Sequence, residues 1–292
     1  MIVIFKAIYA LMAVVFSTVF IRDLQRHKFK NEKASPITSG LTGSIAYFCD
    51  TLGIGSFAVA TALLHHFKLI KNKNLPGTLN VSSVIPILVE SAIFISIIKV
   101  EPLTITLMVV GMCLGSWICA SIVNKIPERM ICLIISISLF IAATVLILKQ
   151  FSLLPMDYAG EIGLTGIKLA IATFCSFIIG VLGAMGIGAY APFLATSLIL
   201  GLSARATFPI MMSAAALAGG FASIKFIKTG NYDRKVSLYM MTFAVIGVLI
   251  AAFIVKTLPL KVLNWVAIFI IYYTSLNLFL KVYKNKVINK DF

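Results

Sequence analysis

Apolar residues in this chain come in long stretches, without the alternation of amphipathic strands or the one-sided stripes of soluble helices. The stretches fall at about 1–21, 38–67, 80–98, 103–123, 129–148, 164–201, 207–227, 236–256 and 260–280. A helix needs roughly twenty residues to cross a bilayer. In hydrocarbon every backbone polar group must be bonded within the chain, so such runs predict transmembrane helices. The connections are short and leave no room for a soluble domain, and the chain closes on a basic tail, 283–292. The expected fold class is an all-α polytopic membrane protein.

Two runs are interrupted. The first carries Asp50-Thr51-Leu52-Gly53-Ile54-Gly55-Ser56, the second Gly180-Val181-Leu182-Gly183-Ala184-Met185-Gly186-Ile187-Gly188, with Pro192 soon after. Glycine at this density weakens a helix. The interruptions also share a spacing with other landmarks. Gly53-Ile54-Gly55 lies 133 positions before Gly186-Ile187-Gly188, Gly115 lies 132 before Gly247, and Pro127 lies 132 before Pro259. A common offset predicts a duplicated unit, 38–149 and 164–282, preceded by an extra N-terminal span and basic loop, 1–33. Each unit would hold one glycine-broken helix and three spans.

Charge decides between parallel and inverted copies. If each broken run is a re-entrant hairpin, 18 of the 25 Lys and Arg lie on the cytoplasmic side; if each run crosses once, only 16 do. Cytoplasmic loops carry the excess of basic residues, so the count favours hairpins and inverted repeats. The same rule puts the N-terminus outside and the C-terminus in the cytoplasm. The first run lacks a cleavage site and is followed by Arg22, Arg26, Lys28, Lys30 and Lys33, as a retained anchor would be.

Composition agrees. Apolar residues make up 60% of the 292 positions and charged residues 12%, against about 45–50% and about 25% in soluble domains. The net charge of +15 sits in clusters between apolar runs, which argues against nucleic-acid binding. The cysteines Cys49, Cys113, Cys119, Cys132 and Cys175 lie in apolar runs with no metal-ligand spacing and read as small buried hydrophobes. No zinc-protease, serine-hydrolase or phosphate-loop motif is present. No enzyme activity, cofactor or metal is expected.

A helix that ends inside the membrane leaves backbone N–H groups and the positive end of its dipole facing a protein-lined space, a setting that attracts an anion. The substrate-binding candidates are therefore Asp50, Thr51, Gly53, Gly55 and Ser56 at the first break, and Gly183, Gly186, Gly188 and Tyr190 at the second. The spans that follow add Thr78 and Asn80, then Arg205, Thr207 and Ser213. A guanidinium fork would suit sulfonate, sulfite or carboxylate oxygens. Asp50 and Glu90 are acidic residues within apolar runs and are candidates for proton coupling. Plainer roles stay open: close helix packing for the glycines, an interfacial charge for Arg205, and a helix cap for Asp50.

With these residues in view, the chain resembles the TauE/SafE-type sulfite exporter permeases, also called the toluene-sulfonate uptake permease family. The resemblance rests on Asp50 to Ala58, Leu75-Pro76-Gly77-Thr78-Leu79-Asn80, Gly183 to Pro192, and Ala206-Thr207-Phe208-Pro209-Ile210-Met211-Met212. It implies a bacterial inner-membrane carrier of small sulfur-containing anions, coupled to the proton gradient. Many members carry a third glycine where Ser56 and Ala189 stand here, which marks a divergent branch. The resulting expectation is a permease in the lipid bilayer that moves a small anionic solute by alternating access. Alternatives are a permease for another solute or a non-transporting assembly partner, and homo-oligomerisation is left open.

Overall fold

The computed structural model describes residues 2–27, 34–52, 55–70, 74–122, 161–184 and 189–257, with scattered positions in 133–151 and 262–280. Its elements are helical: α1 (Ile2–Arg26), α2 (Pro36–Thr51), α3 (Ser56–His66), α4 (Leu75–Ile97), α5 (Pro102–Ile122), α6 (Gly166–Ala184), α7 (Tyr190–Leu200), α8 (Ala204–Thr229) and α9 (Arg234–Thr257). Among the described residues the sole β feature is an isolated bridge between Glu161 and Leu202. Helices α1, α4, α6, α8 and α9 are long and apolar enough to cross a membrane. Large apolar side chains such as Val3, Leu11, Ile167, Phe174 and Phe253 face outward, which lipid accommodates and water does not.

Both interrupted runs are split helices. Each of α3 and α7 has 11 residues, about 16 Å of helix, half of the roughly 30 Å hydrocarbon core. Helix α4 starts earlier than the apolar run at 80, because Pro76 in its first turn loses no intrahelical bond. Helix α8 likewise starts at Ala204, where the Ser203 hydroxyl accepts the Ala206 N–H at 3.1 Å.

Helices from the first part of the chain pair with helices from the last part. Helix α2 packs on α9 as α6 packs on α5, and α4 packs on α9 as α8 packs on α5. The centre is the α4–α8 pair. Phe94 stacks on Phe208 with ring centroids 5.7 Å apart, and Gly219 approaches Ser83, so the two run antiparallel. In the helical positions after α5 and α9, Phe140 and Thr144 meet Tyr272, and the Ser275 hydroxyl bonds the Ser136 carbonyl at 2.7 Å.

Glycine sets how closely these helices approach. A Cβ on Gly115 would overlap the carbonyl of Phe177 on α6, and a Cβ on Gly247 would overlap the carbonyl of Ser44 on α2. Gly115 and Gly247 are 132 positions apart, and their partners Ser44 and Phe177 are 133 apart. The two contacts thus join residues at nearly the same spacing along the sequence.

Helix α1 buries Phe5, Tyr9, Met12, Phe16, Phe20 and Asp23 along one stripe against α8 and α4. The Tyr9 hydroxyl donates to Ser213. At its C-terminal end the Asp23 carboxylate accepts the Tyr232 hydroxyl at 2.6 Å and Arg234 Nε at 2.7 Å. The turn that supplies them is also bonded to α4, where Thr78 Oγ1 accepts the Asp233 N–H at 2.9 Å.

Close backbone approach makes both contacts intolerant of a methyl group. Gly115→Ala and Gly247→Ala should each destabilise the purified protein by about 1–3 kcal/mol, as overpacking does, read as a lower melting temperature in detergent. Unchanged melting in both would mean that the helices are not so close.

Candidate functional site

The first break is built by a glycine and an acid. Gly55 has φ +89°, a conformation that side chains with a Cβ rarely adopt. It provides no side-chain cap for α3. Asp50, in the last turn of α2, reaches across the break and its Oδ1 accepts the Ser56 N–H at the start of α3. A carboxylate there satisfies a donor that hydrocarbon would leave unmet and sits well against the positive end of the helix dipole. The capping role anticipated for Asp50 is therefore present, and it uses one oxygen only.

The second break is less dressed. Ala189 gives α7 no side-chain cap, and the first helical bond runs from the Phe193 N–H to the Ala189 carbonyl at 3.1 Å. The N–H groups of Tyr190 and Ala191 have no intrahelical acceptor, as in any first turn. Pro192 falls where a missing N–H costs nothing. Gly183 lies one residue before the end of α6, and a Cβ on it would sit 3.4 Å from the Ala189 side chain.

The breaks meet. A Cβ on Gly55 would lie 3.8 Å from Cβ of Tyr190, the first residue of α7. The starts of α3 and α7 are thereby neighbours. Around them lies a buried polar cluster: Tyr47, Asp50 and Thr51 from α2, Ser56 from α3, Ser82, Ser83 and Glu90 from α4, and Tyr190 from α7. The Tyr47 hydroxyl lies 3.5 Å from Ser82 Oγ. Thr51 donates back to the Tyr47 carbonyl at 2.9 Å, and Glu90 faces Thr51 and Asp50. The Tyr190 hydroxyl faces Asp50 and Glu90. Among the described residues, Asp50 Oδ2, both oxygens of Glu90 and the Tyr190 hydroxyl have no close hydrogen-bond partner.

Other expected site residues have local partners of their own, and Thr78 and Asn80 lie within about one turn of Ser82 and Ser83 on α4. Thr78, tied to the α8–α9 turn, donates to the Asn74 carbonyl at 2.8 Å. It is twelve residues from Glu90 on α4, about 18 Å along the axis. Asn80 bonds back to the Pro76 carbonyl at 2.9 Å, and Thr207 to the Ser203 carbonyl at 2.9 Å. Ser213 is buried but accepts from Tyr9 and donates to the Pro209 carbonyl, so its hydroxyl serves the α1–α8 contact. Arg205 is exposed in the first turn of α8. Gly53, Gly186 and Gly188 lie outside the described residues.

Tyr47 and Tyr9 were not anticipated from the sequence. The signal was there for Tyr47: a phenol one turn before Asp50 in an apolar helix needs a partner for its hydroxyl. No group of three or more His, Cys, Asp or Glu gathers among the described residues.

A family model described as sulfite exporter TauE/SafE matches residues 2–146 and 168–291 of the chain. No curated protein and no solved structure matches it significantly. With its membrane-length helices and this match over nearly the whole sequence, the chain is a multi-pass membrane transport protein and belongs to the sulfite exporter TauE/SafE family.

Proposed function

We propose that this chain is a secondary transporter of a small anion, of the sulfite or organosulfonate class, working by alternating access. The observation that carries the reading is the meeting of the two breaks at Gly55 and Tyr190. Helix starts within a membrane are where transporters of this architecture hold anionic groups. The two starts are not equivalent here. Helix α3 already has the Asp50 carboxylate on its first N–H, so the anion belongs at the start of α7, with the Tyr190 hydroxyl beside it. The family match supports a sulfur oxyanion as cargo.

The pairing of helices from the first and last parts of the chain and the Gly115 and Gly247 contacts support an inverted duplication, 38–149 against 164–282, with 1–33 as an added leader. In that arrangement one half rocks against the other around the breaks. The excess of Lys and Arg on one side supports a bacterial inner-membrane protein with its N-terminus outside and its C-terminus in the cytoplasm. Asp50 and Glu90 are the groups that would take up a proton in a coupled cycle.

A permease for a cationic or uncharged solute is the second reading. It is favoured by one observation: the buried charges at the breaks are carboxylates, while Arg205 is exposed.

Reconstituted vesicles decide the matter. Sulfite or a small sulfonate should move under an imposed gradient, and Gly55→Leu should lower that flux at least about tenfold while the protein still inserts and elutes as a single species; a tenfold loss corresponds to about 1.4 kcal/mol. No movement of any such anion, or full flux in Gly55→Leu, would contradict the proposal. Arg205→Gln should weaken anion uptake several-fold if Arg205 draws anions to the mouth. A cation permease would be unaffected or improved.

A further inference from the structure

We infer that Asp50, Glu90 and Tyr190 form a binding site for a monovalent metal cation of sodium's class, at the C-terminal end of α2. The inference rests on reading the breaks as the transport site and names a second ligand for it. Burial comes first: relative exposure is 1% for Asp50, 0% for Glu90 and 6% for Tyr190. Asp50 Oδ2, Glu90 Oε1 and Oε2 and the Tyr190 hydroxyl, from three helices, accept or donate no close hydrogen bond among the described residues, while Tyr190 interacts with both carboxyl groups. Among the described residues no Lys, Arg or His is buried, so no base neutralises the pair. A buried charge without a counter-charge is costly, and like charges sharing one low-dielectric space make it more so.

The count of charge sets the valence. Asp50 is partly compensated, because its other oxygen holds the Ser56 N–H at the start of α3. Glu90 has no such partner. Two carboxyl groups sharing one low-dielectric space do not readily both ionise, so one keeps a proton and about one negative charge is left, which one monovalent cation offsets. Asp50 lies in the last turn of α2, and half-helix C-termini hold alkali cations in broken-helix transporters.

The acids have no counterpart at the positions a repeat offset would reach. Counting 133 positions from Asp50, as from Gly55 to Gly188, reaches Gly183; counting 129 from Glu90, as from Thr78 to Thr207, reaches Gly219. The second half has glycine at both counted positions, Gly183 near the end of α6 and Gly219 within α8, and no carboxylate at either. A proton would occupy the same oxygens and compete with the metal cation. The titratable groups facing one another here are Tyr47, Cys49 and Asp50 from α2, Glu90 from α4 and Tyr190 from α7. With the cation seated, an anion at the start of α7 meets a neutralised neighbour, so the pair crosses together.

The test measures binding and needs no transported substrate. Melting temperatures of the purified full chain are recorded in sodium chloride and in choline chloride at equal ionic strength, at several pH values. Sodium should raise the melting temperature saturably, as a ligand of the folded state does, and half-saturation should need more sodium at lower pH. Glu90→Gln and Tyr190→Phe should each raise the half-saturating sodium concentration about tenfold or more, the equivalent of 1.4 kcal/mol. If Glu90→Gln does not fold, Tyr190→Phe alone decides. Equal melting in sodium and choline at every pH would overturn the site and leave the proton as the only occupant. An unchanged sodium response in the variants would overturn it as well. Neither result bears on anion flux, which stands or falls by the vesicle experiment.

Discussion

A helix that stops halfway across a membrane leaves polar backbone groups in a medium that offers them nothing. An unmet donor or acceptor costs several kcal/mol in hydrocarbon, so a break survives only where the protein supplies partners. The chain supplies them in one place. Asp50 closes the start of α3, Gly55 makes the turn, and α7 begins against it at Tyr190. Around this place α2 packs on α9, α5 on α6, and α4 on α8. Glycines at these contacts let backbones touch, as in close-packed membrane helices generally.

The leader helix takes part in this arrangement. Tyr9 holds the Ser213 hydroxyl one turn beyond Pro209 on α8, and Asp23 binds Tyr232 and Arg234 in the α8–α9 turn. The same turn is bonded to Thr78 at the start of α4. Three elements are thus tied at one end of the central pair. Any rocking of α4 against α8 has to be accommodated by α1 and by this cluster of Asp23, Tyr232 and Arg234.

Much of this was legible in the residues. The long runs marked the helices, and the glycines at 53–55 and 183–188 marked the breaks. Asp50 beside a break was recognisable as a cap, because few acidic residues would be placed in an apolar run for less. Helix rotation was not legible. The polar first turns of α4 and α8 pointed to Thr78 and Thr207, each of which bonds back along its own helix. Runs that are apolar on every side give no moment from which to read which face turns inward. The Asp23–Arg234 pair joins residues 211 positions apart, and no local pattern announces such a contact. Arg205 was placed in the site on chemistry alone, and its exposed position follows from lying in the turn before a span.

The central claim is that the two breaks touch. The Gly55–Tyr190 Cβ separation of 3.8 Å equals the usual spacing across a disulfide. In a background without the native cysteines, Gly55→Cys combined with Tyr190→Cys should cross-link within one chain under mild oxidation, detected as a linked peptide pair by mass spectrometry. A folded double variant whose two thiols stay free under conditions that oxidise accessible cysteine pairs would place the breaks apart and contradict the account.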